Sequence, residues 1–153
     1  MKNIIPVITL KQPWASWIMW GWKTIESRTH TKFNCLKGED RLGIHAGKNY
    51  DDSDLVVNNP YLTYDQLIES QLVPQGVILG TVNCFASGLL NKSHEQQALI
   101  ECEKTVRYGL FVKDPIEFAN PIPAKGELSI WYYDLDKKCK VKKPQNSPLI
   151  KLF

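Results

Sequence analysis

Residues 10–28 combine two structural patterns and hold four of the chain's five tryptophans. Pro13 suits the first position of a helix, and Gly21 suits the left-handed residue just beyond its end. The spacing of Trp14 and Trp17 between them predicts one buried helical face. After Gly21 the apolar period changes to two, as in a β-strand. This segment therefore predicts a short helix that leads directly into a strand.

The predicted strand carries polar side chains on one face. Thr24, Glu26 and Arg28 alternate with Ile25, so the three polar side chains point the same way. Alternate residues lie roughly 7 Å apart along a strand, which brings the Glu26 carboxylate and the Arg28 guanidinium within reach of one ligand. Lys23 stands between the helix end and the strand, where its ammonium group reaches the same region.

The remaining chain predicts short strands with few helices. Two capping boxes, which begin at Thr63 and Ser93, predict helices over residues 64–72 and 94–105. Strand-like runs separated by turns cover residues 5–10, 23–28, 41–46, 77–85, 108–112 and 128–133. The helices are too few for a parallel sheet of βαβ units, so the order of elements predicts an α+β barrel.

Prolines, glycines and alternation refine this prediction. Pro6 predicts that the first strand lies at an edge of the sheet. Residues 77–85 form the longest apolar run and predict a central strand, in which Gly80 indicates a bend or a close backbone approach. Alternation in residues 41–46 directs the apolar side chains inward and His45 to the opposite face.

Length and composition limit the class of protein. At 153 residues the chain has the size of one domain, and 43% hydrophobic residues suffice for one core. The N-terminal apolar run is too short for a signal peptide, and no run of about eighteen apolar residues predicts a membrane span. We therefore expect a cytoplasmic protein without a membrane partner. The four cysteines form no C-x-x-C pair and are irregularly spaced, so we expect neither a metal site nor a disulfide framework. We also expect no cofactor.

Charge is concentrated at the C-terminus. The net charge is +3, but residues 136–153 contain six lysines and one aspartate, a net +5. Residues 1–135 contain 13 basic and 15 acidic side chains, a net −2, whereas a polyanion surface requires clustered positive charge. We predict a folded domain over residues 1–135 and a Lys-rich tail over 136–153. The tail is either a solvated chain end or an arm that binds RNA.

Four residues of the first segment match a known motif in register. Gln-Pro-Trp-Ala is followed by Gly-x-Lys-x-x-Glu-x-Arg, which aligns Gly21, Lys23, Glu26 and Arg28. This pattern resembles the ASCH domain, a relative of the PUA RNA-binding domains. Three further blocks resemble the same family and occur in its order, at residues 42–48, at 76–82, and at 121–126 with Trp131.

The resemblance implies a fold and a site. The fold would be a small, mostly closed PUA-like β-barrel with helices covering its openings, and its cleft would take a nucleobase or an RNA segment. The family's clefts use the lysine at position 23. Family members that hydrolyse N4-acetylcytidine have a threonine nucleophile at position 26, where this chain has Glu26. Thr24 lies two residues earlier on the same strand face.

The three charged residues of the motif are also consistent with purely structural roles that involve no ligand. Lys23 is equally consistent with a surface lysine that interacts with the carbonyl groups at a helix end. Glu26 and Arg28 also fit an exposed ion pair, worth less than about 1 kcal/mol. Both alternatives stay open on the sequence alone.

Aromatic and basic residues outside the motif add candidates. Trp14 is the candidate for stacking on a base, whereas Trp17, Trp20 and Trp131 are more typical of a core or an interface. His45 suits acid–base chemistry near neutral pH or a hydrogen-bonded structural role. Lys48 adds a contact to phosphate.

Two functions of different classes follow. The first is an ASCH-domain protein that binds RNA, a nucleobase or a nucleotide in a Lys-Glu-Arg cleft at the barrel mouth. Its ligand-binding residues would be Trp14, Lys23, Thr24, Glu26, Arg28, His45 and Lys48. The alternative is a hydrolase of an N4-acetylcytidine-type nucleoside or of RNA, with Lys23 and Glu26 as catalytic residues. A protein partner bound through the Trp-rich helix is a third hypothesis.

Overall fold

Strands form most of the regular structure in the computed structural model, which describes residues 3–29, 33–35, 40–144 and 150–152. The strands are β1 (Ile4–Gln12), β2 (Ile25–Arg28), β3 (Phe33–Cys35), β4 (Asp40–Tyr50), β5 (Val77–Leu89), β6 (Tyr108–Pro123), β7 (Ile130–Asp134), β8 (Cys139–Val141) and β9 (Ile150–Leu152). The helices are α1 (Trp14–Met19), α2 (Asp54–Val57), α3 (Tyr64–Glu69) and α4 (Glu95–Ala98), the last preceded by a 3₁₀ turn over Lys92–His94.

Seven of these strands form one mixed sheet in the order β2-β6-β5-β4-β1-β7-β8, and β3 pairs with β9 separately. β1 and β4 are parallel, and the other paired strands are antiparallel. The α+β class and the central position of β5 are confirmed. Within the described residues the outer strands β2 and β8 do not pair with each other, so closure into a barrel is not confirmed.

The first strand lies inside the sheet, between β4 and β7, and the prediction of an edge strand was wrong. Pro6 is opposite Tyr132 of β7, whereas pairing with β4 begins at Val7. Because the parallel ladder starts one residue after the proline, its missing N–H does not interrupt that ladder.

The sixth strand is longer than predicted and continues through the Pro-rich segment to Pro123. Within the described residues, β2 pairs with residues 108–111 of β6, and the ladder that continues beyond them to Pro123 is formed with β5. A strand edge without a partner tolerates proline. Three register shifts in the β5–β6 ladder and a left-handed Asp114 (φ 52°) show where this strand bends.

The short helices depart from the prediction in different ways. The capping box of Thr63 is present at the start of α3, but no residue of α3 is buried, so this helix does not cover an opening with its apolar side. α4 has four residues because Leu99 adopts the left-handed conformation (φ 56°) and ends it. Asn91, not Ser93, caps the 3₁₀ turn before α4. No helix in the described ranges is long and apolar enough to cross a membrane.

The main core lies between α1 and one face of the sheet. Leu42, Ile44 and Ala46 of β4 are buried there, as their alternation predicted.

α1 ends as predicted, with Gly21 left-handed at φ 79°. Gly80 confirms the predicted close approach, because a Cβ at this position would overlap the carbonyl oxygen of Ile116. A Cβ there would also overlap Met19 of α1, so the glycine allows α1 to pack closely on β5.

The tryptophans of the first segment are packed against neighbouring elements. Trp17 is fully buried with Val56 and Leu99, and Trp20 and Trp22 pack against each other with centroids 4.8 Å apart. Trp131 of β7 is buried in a second core cluster on the other side of the sheet. The core positions predicted for Trp17 and Trp131 are confirmed.

Part of the Lys-rich tail belongs to the sheet. Residues 139–141 form β8 and pair with β7, and residues 150–152 form β9 and pair with β3. β8 forms the edge of the sheet beside β7, which contributes Trp131 and Tyr133 to the second core cluster. These tail residues therefore protect the edge of a strand that carries core side chains.

Candidate functional site

A cavity of about 620 Å³ opens beside the start of α1. Its volume lies in the range of small-molecule sites, roughly 300–1,000 Å³. Four segments line it, namely the end of β1 with the start of α1, β2, the end of β4, and the connection between β6 and β7. The lining residues are Thr9, Leu10, Lys11, Trp14, Glu26, Ser27, Arg28, Gly47, Lys48, Asn49, Lys125, Gly126, Glu127 and Leu128.

Glu26 provides a carboxylate in the cavity wall. Its side chain is 11% exposed, with Oε1 3.7 Å from Lys23 Nζ and Oε2 3.4 Å from Arg28 Nε. Burial of a carboxylate is unfavourable unless cations or donors accompany it. Here one buried and one partly exposed cation flank the carboxylate, and the second of them also lines the cavity.

Lys23 lies behind Glu26 rather than on the cavity wall. The residue is 1% exposed, and its ammonium group donates hydrogen bonds to the carbonyl oxygens of Ile25 (2.6 Å) and Ala98 (2.7 Å). Burial lowers the pKa of Lys23 to about 8, although Glu26 opposes this shift. Lys23 thus joins the end of α4 to β2 and supports Glu26 from within the protein.

Trp14 forms an aromatic part of the wall and is held in place. Its Nε1 donates to Asp51 Oδ2 at 2.8 Å, and its ring packs edge-on against Trp17 with centroids 4.8 Å apart. Lys23 Nζ lies 5.0 Å from the centroid of the Trp14 ring. The indole therefore has a fixed orientation beside the Glu26 carboxylate.

Two further predicted ligand-binding residues are, like Lys23, not on the wall. Thr24 precedes β2, and its backbone bonds to Gln97 and Val112. His45 is buried, with Nε2 2.7 Å from the carbonyl oxygen of Ala124. Burial lowers the pKa of His45. The imidazole therefore holds the connection between β6 and β7 in place behind the cavity.

The structure brings four predicted residues onto the wall: Trp14, Glu26, Arg28 and Lys48. Lys11, Ser27, Asn49 and residues 125–128 line the same cavity and were not predicted. Lys125 and Gly126 belong to a sequence block that resembles part of the ASCH domain, but no pattern in the sequence showed which residues of that block face a ligand. The described residues contain no group of His, Cys, Asp and Glu suited to a metal ion.

Comparison with known proteins is informative at the level of fold. No family model and no curated protein matches the chain. The crystal structure of ASCH from Zymomonas mobilis is similar, with a TM-score of 0.56 and 13% identity, over 90% of this chain and 96% of that chain. A mutant of the Zymomonas mobilis protein matches over 77% of this chain and 74% of that chain, at 18% identity and a TM-score of 0.48. The chain has the fold of an ASCH domain, which confirms the predicted resemblance.

Proposed function

We propose that the cavity binds a nucleobase carried by RNA or by a nucleotide, with Glu26 and Arg28 contacting the base edge and Trp14 stacking on its face. The observation that carries this proposal is the Glu26 carboxylate, which lies on the wall of a cavity of about 620 Å³ and is 11% exposed. Arg28 flanks it on the wall, and Lys23 flanks it from behind. A ligand that enters the cavity meets acceptors, donors and an aromatic ring within a few residues of one another.

The chemistry of the wall favours bases that carry an exocyclic amino group. An ionised carboxylate only accepts hydrogen bonds, and a guanidinium only donates them. Cytosine, adenine and guanine present amino donors, whereas uracil has only carbonyl oxygens in their place. A carbonyl oxygen facing Glu26 donates no hydrogen bond and places two acceptors against each other, so uracil is the disfavoured base.

Hydrolysis is the second candidate function, and Lys23 is the observation in its favour. Its pKa of about 8 is far below that of an ordinary lysine, and perturbed pKa values cluster at functional sites. However, the ammonium group is occupied by two backbone carbonyls and lies behind the wall. The family's threonine nucleophile is replaced by Glu26, and Thr24, two residues earlier, is not among the lining residues. Binding without turnover is therefore the function we favour.

Ligand titration with product analysis tests this proposal. Cytidine, adenosine, guanosine, uridine, N4-acetylcytidine and a short single-stranded RNA are titrated by calorimetry, and each sample is then analysed by mass spectrometry. We expect the amino-bearing nucleosides to bind more tightly than uridine, and Glu26→Gln to remove this preference. Glu69→Gln, which removes an exposed carboxylate from α3, is the matched control.

The outcomes separate the two functions. Absence of binding by all nucleosides and by the RNA overturns the proposal. Release of cytidine from N4-acetylcytidine, or cleavage of the RNA, by the wild-type protein would establish the hydrolase instead.

A further inference from the structure

Three lysines from separate segments line the cavity, and because all three are exposed we place them at its rim. Lys11 lies near the end of β1, Lys48 near the end of β4, and Lys125 in the connection after β6. β1 and β4 are parallel and aligned, with Leu10 opposite Ala46 and Gln12 opposite Tyr50. Parallel alignment brings the two strand ends to the same edge of the sheet, which places Lys11 and Lys48 together.

The residues that line the cavity carry more positive than negative charge. The lining residues include four cations and two carboxylates, although residues 1–135 as a whole are net negative. Both carboxylates already have cationic partners: Glu26 is flanked by Lys23 and Arg28, and Lys140 Nζ lies 3.3 Å from Glu127 Oε2.

The three rim lysines, in contrast, form no ion pair with any carboxylate in the described part of the chain. Their charges are therefore available to a ligand. Lys11 also acts on the ionisation of Asp51, so Lys48 and Lys125 are the better positions for a test.

We propose that the ligand carries a phosphate, which the lysines at the rim contact while the base occupies the wall formed by Trp14, Glu26 and Arg28. This inference rests on the proposed function and adds to it the residues that contact the phosphate. Lysine binds phosphate as a flexible point charge, without the fixed geometry that arginine imposes. A rim of lysines therefore recognises the presence of phosphate, and the wall below it selects the base. The phosphate comes either from a free nucleotide or from the backbone of an RNA.

Nucleosides and their 5′-monophosphates provide a direct test, because they differ only in the phosphate. We expect cytidine 5′-monophosphate to bind about tenfold or more tightly than cytidine at low ionic strength. The double variant Lys48→Gln/Lys125→Gln should lower the affinity for the monophosphate more than the affinity for cytidine, and so abolish this difference. Lys92→Gln/Lys104→Gln removes two exposed lysines outside the cavity and is the matched control. Circular dichroism verifies that each variant is folded.

Salt dependence distinguishes the two sources of phosphate. A short single-stranded RNA that binds more tightly than the monophosphate, with a steeper salt dependence, supports RNA as the source. For each lysine–phosphate interaction that a substitution removes, the slope of log K against log salt should decrease by about 0.7 for a single strand. A monophosphate that binds as tightly as the RNA supports a free nucleotide.

The remaining outcomes separate this inference from the proposed function. Equal affinities for cytidine and its monophosphate overturn the phosphate subsite and leave base binding in place. Binding of inorganic pyrophosphate that depends on Lys48 and Lys125, without binding of any base, supports the subsite and overturns the proposed function. Absence of binding by all of these ligands overturns both.

Discussion

Glu26 Oε2 lies 3.4 Å from Nε of Arg28, two residues further along β2, and both side chains line the cavity. The other carboxylate oxygen is 3.7 Å from Nζ of Lys23, which is buried behind the wall. Glu26 is therefore shared by one cation that a ligand can reach and one that belongs to the protein interior. Substitution of Arg28 should therefore weaken ligand binding, and substitution of Lys23 should reduce the stability of the folded protein.

Replacement of Glu26 by glutamine tests how the carboxylate is used. Glu26→Gln keeps the shape and one acceptor but removes the charge, so the affinity for cytidine should fall by about 1.5–3 kcal/mol, the value of a charged hydrogen bond. Calorimetry measures this loss. If Glu26 is instead a general base, turnover should fall by roughly 10²-fold or more while affinity is retained. Unchanged affinity and no turnover in either protein would exclude both roles.

Replacement of Lys23 by methionine should destabilise the protein at neutral pH. The substitution leaves the carbonyl groups of Ile25 and Ala98 and the Glu26 carboxylate without their cation. Loss of one partner of a buried charged network costs about 2–5 kcal/mol of the free energy of unfolding. Urea unfolding followed by circular dichroism measures the loss. A variant as stable as wild type would mean that Lys23 does not support β2.

The pH dependence of stability should also differ between wild type and Lys23→Met. The pKa of Lys23 is about 8 in the folded protein and 10.5 as the ordinary value, so the unfolded chain binds more protons between these limits. The free energy of unfolding of the wild type should therefore rise relative to the variant as the pH increases through this window. The gain is at most about 1.4 kcal/mol per pH unit. Urea unfolding at pH 7.5 and pH 10 measures the difference in the free energy of unfolding between wild type and variant. A difference that narrows from the lower to the higher pH would contradict the assigned pKa of Lys23.

Trp14 should contribute to affinity through its ring. Trp14→Leu removes the stacking surface and should cost roughly 1–3 kcal/mol of binding free energy. Trp14→Phe is the matched control, because it keeps a ring but also loses the hydrogen bond from Nε1 to Asp51. We expect the phenylalanine variant to bind RNA or nucleosides more tightly than the leucine variant. An equal loss of affinity in both variants would show that Trp14 contributes through its hydrogen bond to Asp51 and not through stacking.

Truncation tests whether the tail is separable from the domain. β8 pairs with β7, which carries Trp131 and Tyr133 into the core, so a chain that ends at Asp136 should melt at a lower temperature. Each kcal/mol of stability removed should lower Tm by about 2–4 °C for a chain of this size. A chain that ends at Pro144 keeps β8 and isolates its contribution. If the chain that ends at Asp136 melts at the same temperature as the full chain, the folded domain ends near residue 135.

Local patterns predicted those features that depend on neighbours in sequence. Gly21 ends α1 in the left-handed conformation because a residue without Cβ adopts it readily. The alternation in β4 correctly predicted which of its apolar residues are buried in the main core, since a strand has a period of two. The capping box at Thr63 requires only residues within one helical turn, and it is present.

Features that depend on distant segments were predicted less well. Pro6 indicated an edge strand, but the position of β1 is set by its pairing with β4 and β7. The end of β6 is set by β5, which extends along it to Pro123. The predicted helix over 94–105 stops at Ala98, where Leu99 turns left-handed. In each case pairing or packing with another part of the chain outweighs the local preference.

The sequence by itself determined that Glu26 and Arg28 share one face of a strand and that a glycine-terminated helix with Trp14 precedes them, because these relations span a few residues. Only the tertiary structure decided that Lys23 supports Glu26 from behind and that His45 lies outside the cavity wall. The same holds for the lysines at the rim, which are separated by 37 or more residues in sequence. Lys11 and Lys48 meet because parallel pairing of β1 with β4 brings two strand ends to one edge, a relation that no local pattern of residues encodes.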